Sequence, residues 1–176
     1  EPAAIMRALD RGAAGVIAPM IGGPADVAAL VAACRYPPEG MRSFGPVRAG
    51  VAHGAFTPAE AAALPLVFPM IETAPALEQL EAIADVPGIS GLYVGPADLS
   101  LSLGLPLPVD FGAPRLREAL AAVAAACAAR GLVAGVFANV AAAADLAEMG
   151  YRLISVVSDG ELIRQGGAAA LAALAG

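Results

Sequence analysis

Short runs rich in β-branched and aromatic residues alternate with helix-like segments along this chain, and that alternation constrains the fold more than any other feature. The predicted strands are residues 12–20, 64–72, 89–96, 131–139 and 151–159. The predicted helices are residues 3–11, 24–34, 73–84, 114–130, 140–149 and 161–175. Such alternation is typical of βα units whose strands form one parallel sheet.

The number of units predicts an incomplete barrel. A complete (β/α)8 barrel has eight strands in about 250 residues, whereas this chain has 176 residues and about five βα units. It also opens on a helical pattern. We therefore expect residues 1–176 to form a single partial TIM-barrel domain, the C-terminal portion of a longer one, with three upstream strands absent. Such a piece would expose its edge strands and aggregate readily.

Composition argues against several classes of protein. No apolar run reaches the roughly 18 residues of a membrane span, and no signal peptide is visible. Ten basic residues are scattered among sixteen acidic ones, which argues against a nucleic-acid partner. Cys34 and Cys127 lie far apart inside helical patterns and are interpreted as reduced core thiols, so a cytoplasmic location is expected.

The chain contains no lysine, since all ten basic residues are arginine. A Schiff base needs a lysine amine. Any carbonyl chemistry on this chain is therefore predicted to use a metal or an acid–base route.

Polar residues that close the predicted strands are the candidates for chemistry, because barrel enzymes place reactive groups at the carboxyl ends of their strands. These residues are Glu72, Asp98, Asn139 and Asp159. Glu72 and Asp98 follow consecutive strands and are candidates to bind one hard cation such as Mg²⁺ or Mn²⁺. Spacing alone leaves a structural alternative open, in which Glu72 merely favours the N-terminus of the following helix and Asp98 caps the LSLSLG turn.

Four ordered motifs carry a family resemblance: RGAAGVIAPMI, ACRYPPEGMRSFG, MIET and GLYVGPADLSLSLGLP. Together they closely resemble the HpcH/HpaI aldolase and citrate lyase β-subunit family. These are class II pyruvate aldolases on a barrel of the pyruvate-kinase/PEP-utilising type. The resemblance implies a carbon–carbon lyase that cleaves or forms 4-hydroxy-2-oxo acids through a pyruvate enolate.

The resemblance also implies the site. Glu72 and Asp98 match the family's metal ligands, for Mg²⁺, Mn²⁺ or Co²⁺. Gly95 shapes the turn in which backbone N–H groups near Ala97 and Asp98 meet the carboxylate of a pyruvate-type 2-oxo acid, and the second substrate is an aldehyde. The complete enzyme is expected to be a homo-oligomer, a trimer or hexamer.

Two further positions have roles implied by the resemblance. Asp10 matches a family aspartate that works with a catalytic base, often across a subunit boundary; a surface acid beside Arg7 and Arg11 is the alternative. Met70 stands where many of these aldolases have a glutamine that hydrogen-bonds the substrate. A thioether is a poor substitute, which leaves the exact substrate open.

The long irregular stretch at residues 36–58 is predicted to be a βα loop near the active face. Arg42 and Arg48 in it are candidates to meet an anionic aldehyde or a neighbouring subunit, with solvated loop charges as the alternative. His53, the only histidine, does not match the family's base and is interpreted as a solvated loop residue.

Two rival functions remain open from the sequence. One is a CoA-ester lyase of the citrate lyase β type, because the MIET motif occurs there too. The other is a catalytically incomplete fragment, because the family's histidine base and substrate-binding arginine lie upstream of residue 1. On this reasoning the chain alone is expected to be inactive.

Overall fold

A computed structural model describes residues 1–45 and 65–175. This part of the chain contains one sheet with the strands β1 (Gly15–Ala18), β2 (Leu66–Ile71), β3 (Gly91–Val94), β4 (Val133–Phe137) and β5 (Leu153–Ser155). All neighbouring strands are parallel and follow one another in chain order. The sheet is a curled half-barrel, which confirms the predicted partial TIM barrel of about five βα units.

Helices connect and cover the strands. They are α1 (Pro2–Asp10), α2 (Pro24–Cys34), α3 (Ala74–Glu78), α4 (Leu80–Ala84), α5 (Pro96–Ser102), α6 (Pro114–Arg130), α7 (Val140–Met149) and α8 (Asp159–Ala175). Proline, which has no N–H to leave unpaired, opens α1, α2, α5 and α6. Gly131 and Gly150 end α6 and α7 at positive φ, 65° and 114°, where a side chain would be strained.

The main core lies between the sheet and its helices. Strand residues such as Val67, Leu92 and Val136 are fully buried and pack with Leu120 of α6. Tyr151 is buried in the same layer, and its hydroxyl donates to the Leu120 carbonyl at 3.0 Å. Burial of this apolar layer is the main stabilising contribution to the half-barrel.

The opposite, concave face of the sheet carries aromatic side chains. A Cβ on Gly91 would lie 2.5 Å from the Phe68 ring, and a Cβ on Gly135 would lie 2.7 Å from the Tyr93 ring. Glycine at these two positions makes room for the aromatic rings. Tyr93 thereby reaches the carboxyl half of the concave face.

The structure differs from the predicted elements in three places. Residues 73–84 form the two short helices α3 and α4, which meet at Gln79; the Gln79 side-chain amide donates to the Gly22 carbonyl at 2.8 Å. Helix α5 was not predicted. Residues 36–45 follow α2 and precede β2 in chain order, so the prediction of this part as a βα loop was wrong. The rest of the predicted loop, residues 46–58, lies outside the described residues.

No helix within the described ranges is both long and apolar enough to cross a membrane.

Candidate active site

The carboxyl ends of β2 and β3 lie side by side and carry the predicted metal ligands. Ile71 and Val94 are paired in register at the ends of these strands. Glu72 is the next residue after β2, and Gly95 is the next after β3. Asp98 follows in the first turn of α5, so the structure brings both predicted carboxylates to the same end of the sheet.

Glu72 is buried, with only 3% of its surface exposed. Its Oε1 atom accepts a hydrogen bond from the Met20 N–H, at 2.5 Å. Met20 has a φ of 56°, which is uncommon for a residue with a side chain and is often found at functional sites. Sequence reasoning missed Met20, because its contribution is a backbone N–H held by an unusual conformation.

Gly95 packs directly against the Glu72 carboxylate. A Cβ at Gly95 would lie 2.5 Å from Glu72 Oε2 and 2.8 Å from the Met70 terminal methyl. Only a residue without a side chain allows this close approach. Gly95 therefore fixes the direction of the Glu72 carboxylate between β1 and β3.

The donor chemistry at this edge fits a hard divalent cation. Magnesium is commonly bound through one or two carboxylates, with water or substrate oxygens completing its six ligands. Glu72 and Asp98 supply such a pair, one buried and one exposed. Within the described ranges, this edge included, no group of three or more His, Cys, Asp or Glu residues gathers around a possible metal position.

A cavity of about 500 Å³ opens beside these carboxylates, at the carboxyl ends of β2, β3 and β4. All four residues predicted to bind substrate line it: Met70, Gly95, Ala97 and Asp98. Asn139, one of the strand-closing candidates, lines it too, as does Pro96 of the Gly95 turn. Sequence reasoning did not identify the remaining lining residues, which are Tyr93, Pro108, Val109, Phe111, Phe137 and Ala138. Tyr93 and Phe137 could have been found from strand alternation, since every second residue of a strand points to the same face.

Asp10 lies at the opposite, amino end of the sheet. It is the last residue of α1, just before β1 begins. Arg42 donates to Asp10 Oδ1 from Nη2 at 2.7 Å and from Nε at 3.2 Å. Nearby, Arg35 donates to the Pro65 and Gly88 carbonyls, which precede β2 and β3. The structure therefore does not bring Asp10 together with Glu72 and Asp98 of the same chain.

Arg42 is buried, although its sequence position predicted a loop at the active face. Its guanidinium lies 4.7 Å from the centre of the Tyr36 ring, which in turn meets the Phe44 ring edge-on at 5.0 Å. Burial raises the pKa of Tyr36, while the neighbouring Arg42 opposes that rise. Arg42 thus belongs to a packed amino-end cluster and does not line the cavity beside Glu72. Because it is buried, the alternative of a solvated loop charge was wrong for Arg42. Arg48 and His53 lie outside the described residues.

Known proteins resemble this chain over nearly all of its length. The family model for HpcH/HpaI aldolase/citrate lyase matches residues 2–166. A hydroxypyruvate/pyruvate aldolase from Rhizorhabdus wittichii is 39% identical over 137 residues, covering 78% of this chain and 55% of the relative. A 4-hydroxy-2-oxo-heptane-1,7-dioate aldolase from Salmonella arizonae is 35% identical, covering 98% of this chain and 66% of the relative.

A solved structure shows the same architecture. The crystal structure of an HpcH/HpaI aldolase/citrate lyase family protein from Burkholderia cenocepacia J2315 superposes with a TM-score of 0.85 at 35% identity. The match covers 100% of this chain and 70% of that one. The chain spans between about half and two thirds of the length of the two curated relatives described above.

Proposed function

Because this chain belongs to the HpcH/HpaI aldolase/citrate lyase family, we propose that it forms the metal and substrate half of a divalent-metal-dependent aldolase. The reaction is cleavage or formation of 4-hydroxy-2-oxo acids, with a pyruvate-type 2-oxo acid and an aldehyde as the two components. One observation carries the proposal: the buried Glu72 carboxylate meets the Gly95 turn at the edge of a cavity whose rim holds Asp98.

Glu72 and Asp98 are the residues that would hold the cation, Mg²⁺ or Mn²⁺. When bound, such a cation supplies Lewis-acid stabilisation of the negative charge that develops on the 2-oxo acid. The Met20 N–H and the Gly95 backbone orient Glu72 for this role. The N–H groups near Ala97 and Asp98 would orient the substrate carboxylate at the start of α5. The absence of lysine is consistent with a route that forms no Schiff base on this chain.

Asp10 takes part, on this proposal, in the site of another copy of the chain. Its position at the amino end of its own sheet, held by Arg42, supports action across a subunit boundary rather than within one chain. The complete enzyme would accordingly be a homo-oligomer, a trimer or a hexamer.

Metal binding to the 176-residue chain tests the proposal directly. Mn²⁺ should bind to the chain, and Glu72→Gln and Asp98→Asn should each weaken it by roughly tenfold or more, because each removes a charged ligand. Glu78→Gln, which changes an exposed glutamate of α3, is the matched control and should leave the affinity unchanged.

Substrate binding separates the aldolase from its rival. Pyruvate should bind only in the presence of Mn²⁺, as expected for a substrate that needs the cation. Tight, metal-dependent binding of a CoA thioester with no binding of pyruvate would favour the citrate lyase type instead. Mn²⁺ affinity that is equal in the wild type, Glu72→Gln and Asp98→Asn would refute the proposed site.

A further inference from the structure

The cavity beside Glu72 has a predominantly apolar wall. Its side chains are aliphatic, aromatic or thioether groups except at three positions: the Tyr93 hydroxyl, Asp98 and Asn139. Phe137, the last residue of β4, is 43% exposed and faces this space from one strand further along the sheet. An exposed aromatic ring inside a cavity offers apolar surface that a ligand can cover.

None of the three polar groups of the wall carries a positive charge. Asn139 caps α7, and its Oδ1 accepts the Ala142 N–H at 2.8 Å. Asp98 is the proposed cation ligand, and a carboxylate offers no hydrogen-bond donor to a second anionic group on a substrate. Within the described part of the chain, no cationic side chain lines the cavity.

The arginine nearest the cavity wall in the adjoining groove already has an ionic partner. Arg117 lies in the adjoining groove, which shares Val109, Phe111 and Asn139 with the cavity. Its guanidinium is paired with Asp145 at 2.5 Å. An anionic substituent placed against the apolar wall would therefore lose its hydration without gaining an ionic partner.

From this wall we infer that the aldehyde component is neutral and carries an apolar chain or ring, which packs between Met70, Phe111 and Phe137. The inference rests on the proposed function, because it assigns the space beside the cation site to the part of the substrate derived from the aldehyde. It sets this chain apart from the Salmonella arizonae relative, which is named for a heptane-1,7-dioate and hence for a substrate with a second carboxylate.

Two 2-oxo acids of equal length test the inference in the 176-residue chain. Their shared 2-oxo acid head occupies the proposed cation edge, and 2-oxooctanoate ends in a methyl group where 2-oxooctanedioate ends in a carboxylate. Calorimetric titration with Mg²⁺ at fixed ionic strength should show roughly tenfold tighter binding of 2-oxooctanoate, the scale of discrimination that an apolar pocket supplies.

A charge introduced into the wall should reverse the preference. Phe137→Arg places a cation in the cavity and should make 2-oxooctanedioate the tighter ligand. Val133→Arg is the matched control, because Val133 lies on the same face of β4, is 36% exposed and does not line the cavity. That variant should keep the wild-type preference, and thermal melting checks that both variants fold.

The outcomes separate the two proposals. Equal metal-dependent binding of both ligands, or unchanged preference in Phe137→Arg, overturns the apolar assignment and leaves the metal-dependent function standing. Failure of both ligands to bind in the presence of Mg²⁺, or binding that is unchanged in Glu72→Gln, overturns the proposed function and the assignment with it.

Discussion

Replacement of Gly95 by alanine should disable the proposed cation site while leaving the fold in place. The new Cβ would lie 2.5 Å from Glu72 Oε2, whereas ordinary van der Waals contact begins near 3.4 Å. One of the two groups must therefore move by about 0.9 Å. Metal–oxygen distances tolerate only about 0.2 Å, so the Glu72 carboxylate can no longer bind the cation in its original geometry. The φ of Gly95 is −96°, which alanine adopts without backbone strain.

Two measurements check this prediction. Mn²⁺ titration should show affinity weakened by roughly 10- to 100-fold, the range found when groups that orient a metal ligand are disturbed. The free energy of unfolding should fall by about 1–3 kcal/mol, as for moderate overpacking. Gly160→Ala is the control, since a Cβ there meets nothing within 4 Å. Wild-type Mn²⁺ affinity in Gly95→Ala would refute the proposed role of the Gly95 approach in shaping the site.

Two predictions concern stability rather than the site. Burial raises the pKa of the Cys34 thiol from 9.0 to about 11. The folded chain therefore holds this proton more tightly than the unfolded chain, and the free energy of unfolding should fall as the pH rises from 9 to 11. The fall should be steeper in the wild type than in Cys34→Ala. A pH series of urea melts checks this, and equal slopes would contradict it. Arg42→Gln removes a buried guanidinium that makes two hydrogen bonds to Asp10 and stacks on the Tyr36 ring. The free energy of unfolding should fall by about 2 kcal/mol, which lowers Tm by roughly 4–8 °C in a chain of this length. The exposed Arg164→Gln control should leave Tm unchanged, and an equal loss in both variants would argue against a special role for the Arg42 cluster.

The strands and their order were predictable because the physical signal is local. Each strand is a short apolar run bounded by glycine, proline or a helical pattern, and helices between parallel strands leave few topologies. Helix capping obeys an equally local rule: the hydroxyl of Thr73, the residue before α3, accepts the Ala76 N–H. The positions of Glu72 and Asp98 at one end of the sheet follow directly from this topology.

Other features depend on contacts between distant residues, and sequence patterns did not reveal them. The break between α3 and α4 coincides with the hydrogen bond from Gln79 to Gly22, 57 positions away. Burial of Arg42 depends on Asp10, which precedes it by 32 positions. A charged residue in a Pro- and Gly-rich stretch is expected to lie in a solvent-exposed loop, because charged side chains are seldom buried without a partner. For Arg42 that partner is Asp10, which the sequence pattern did not reveal.

Met70 connects the two halves of the proposed site. On one side its terminal methyl lies against the turn at Gly95, beside the Glu72 carboxylate, and on the other it lines the apolar cavity. A glutamine at this position would extend the polar cation edge into the cavity, because its amide would need hydrogen-bond partners. The thioether instead ends the polar region at Glu72 and begins the apolar wall that continues through Tyr93 to Phe137. Methionine in place of glutamine at position 70 left the exact substrate undetermined from the sequence. In the structure, the same methionine is part of the surface from which a neutral, apolar aldehyde is inferred.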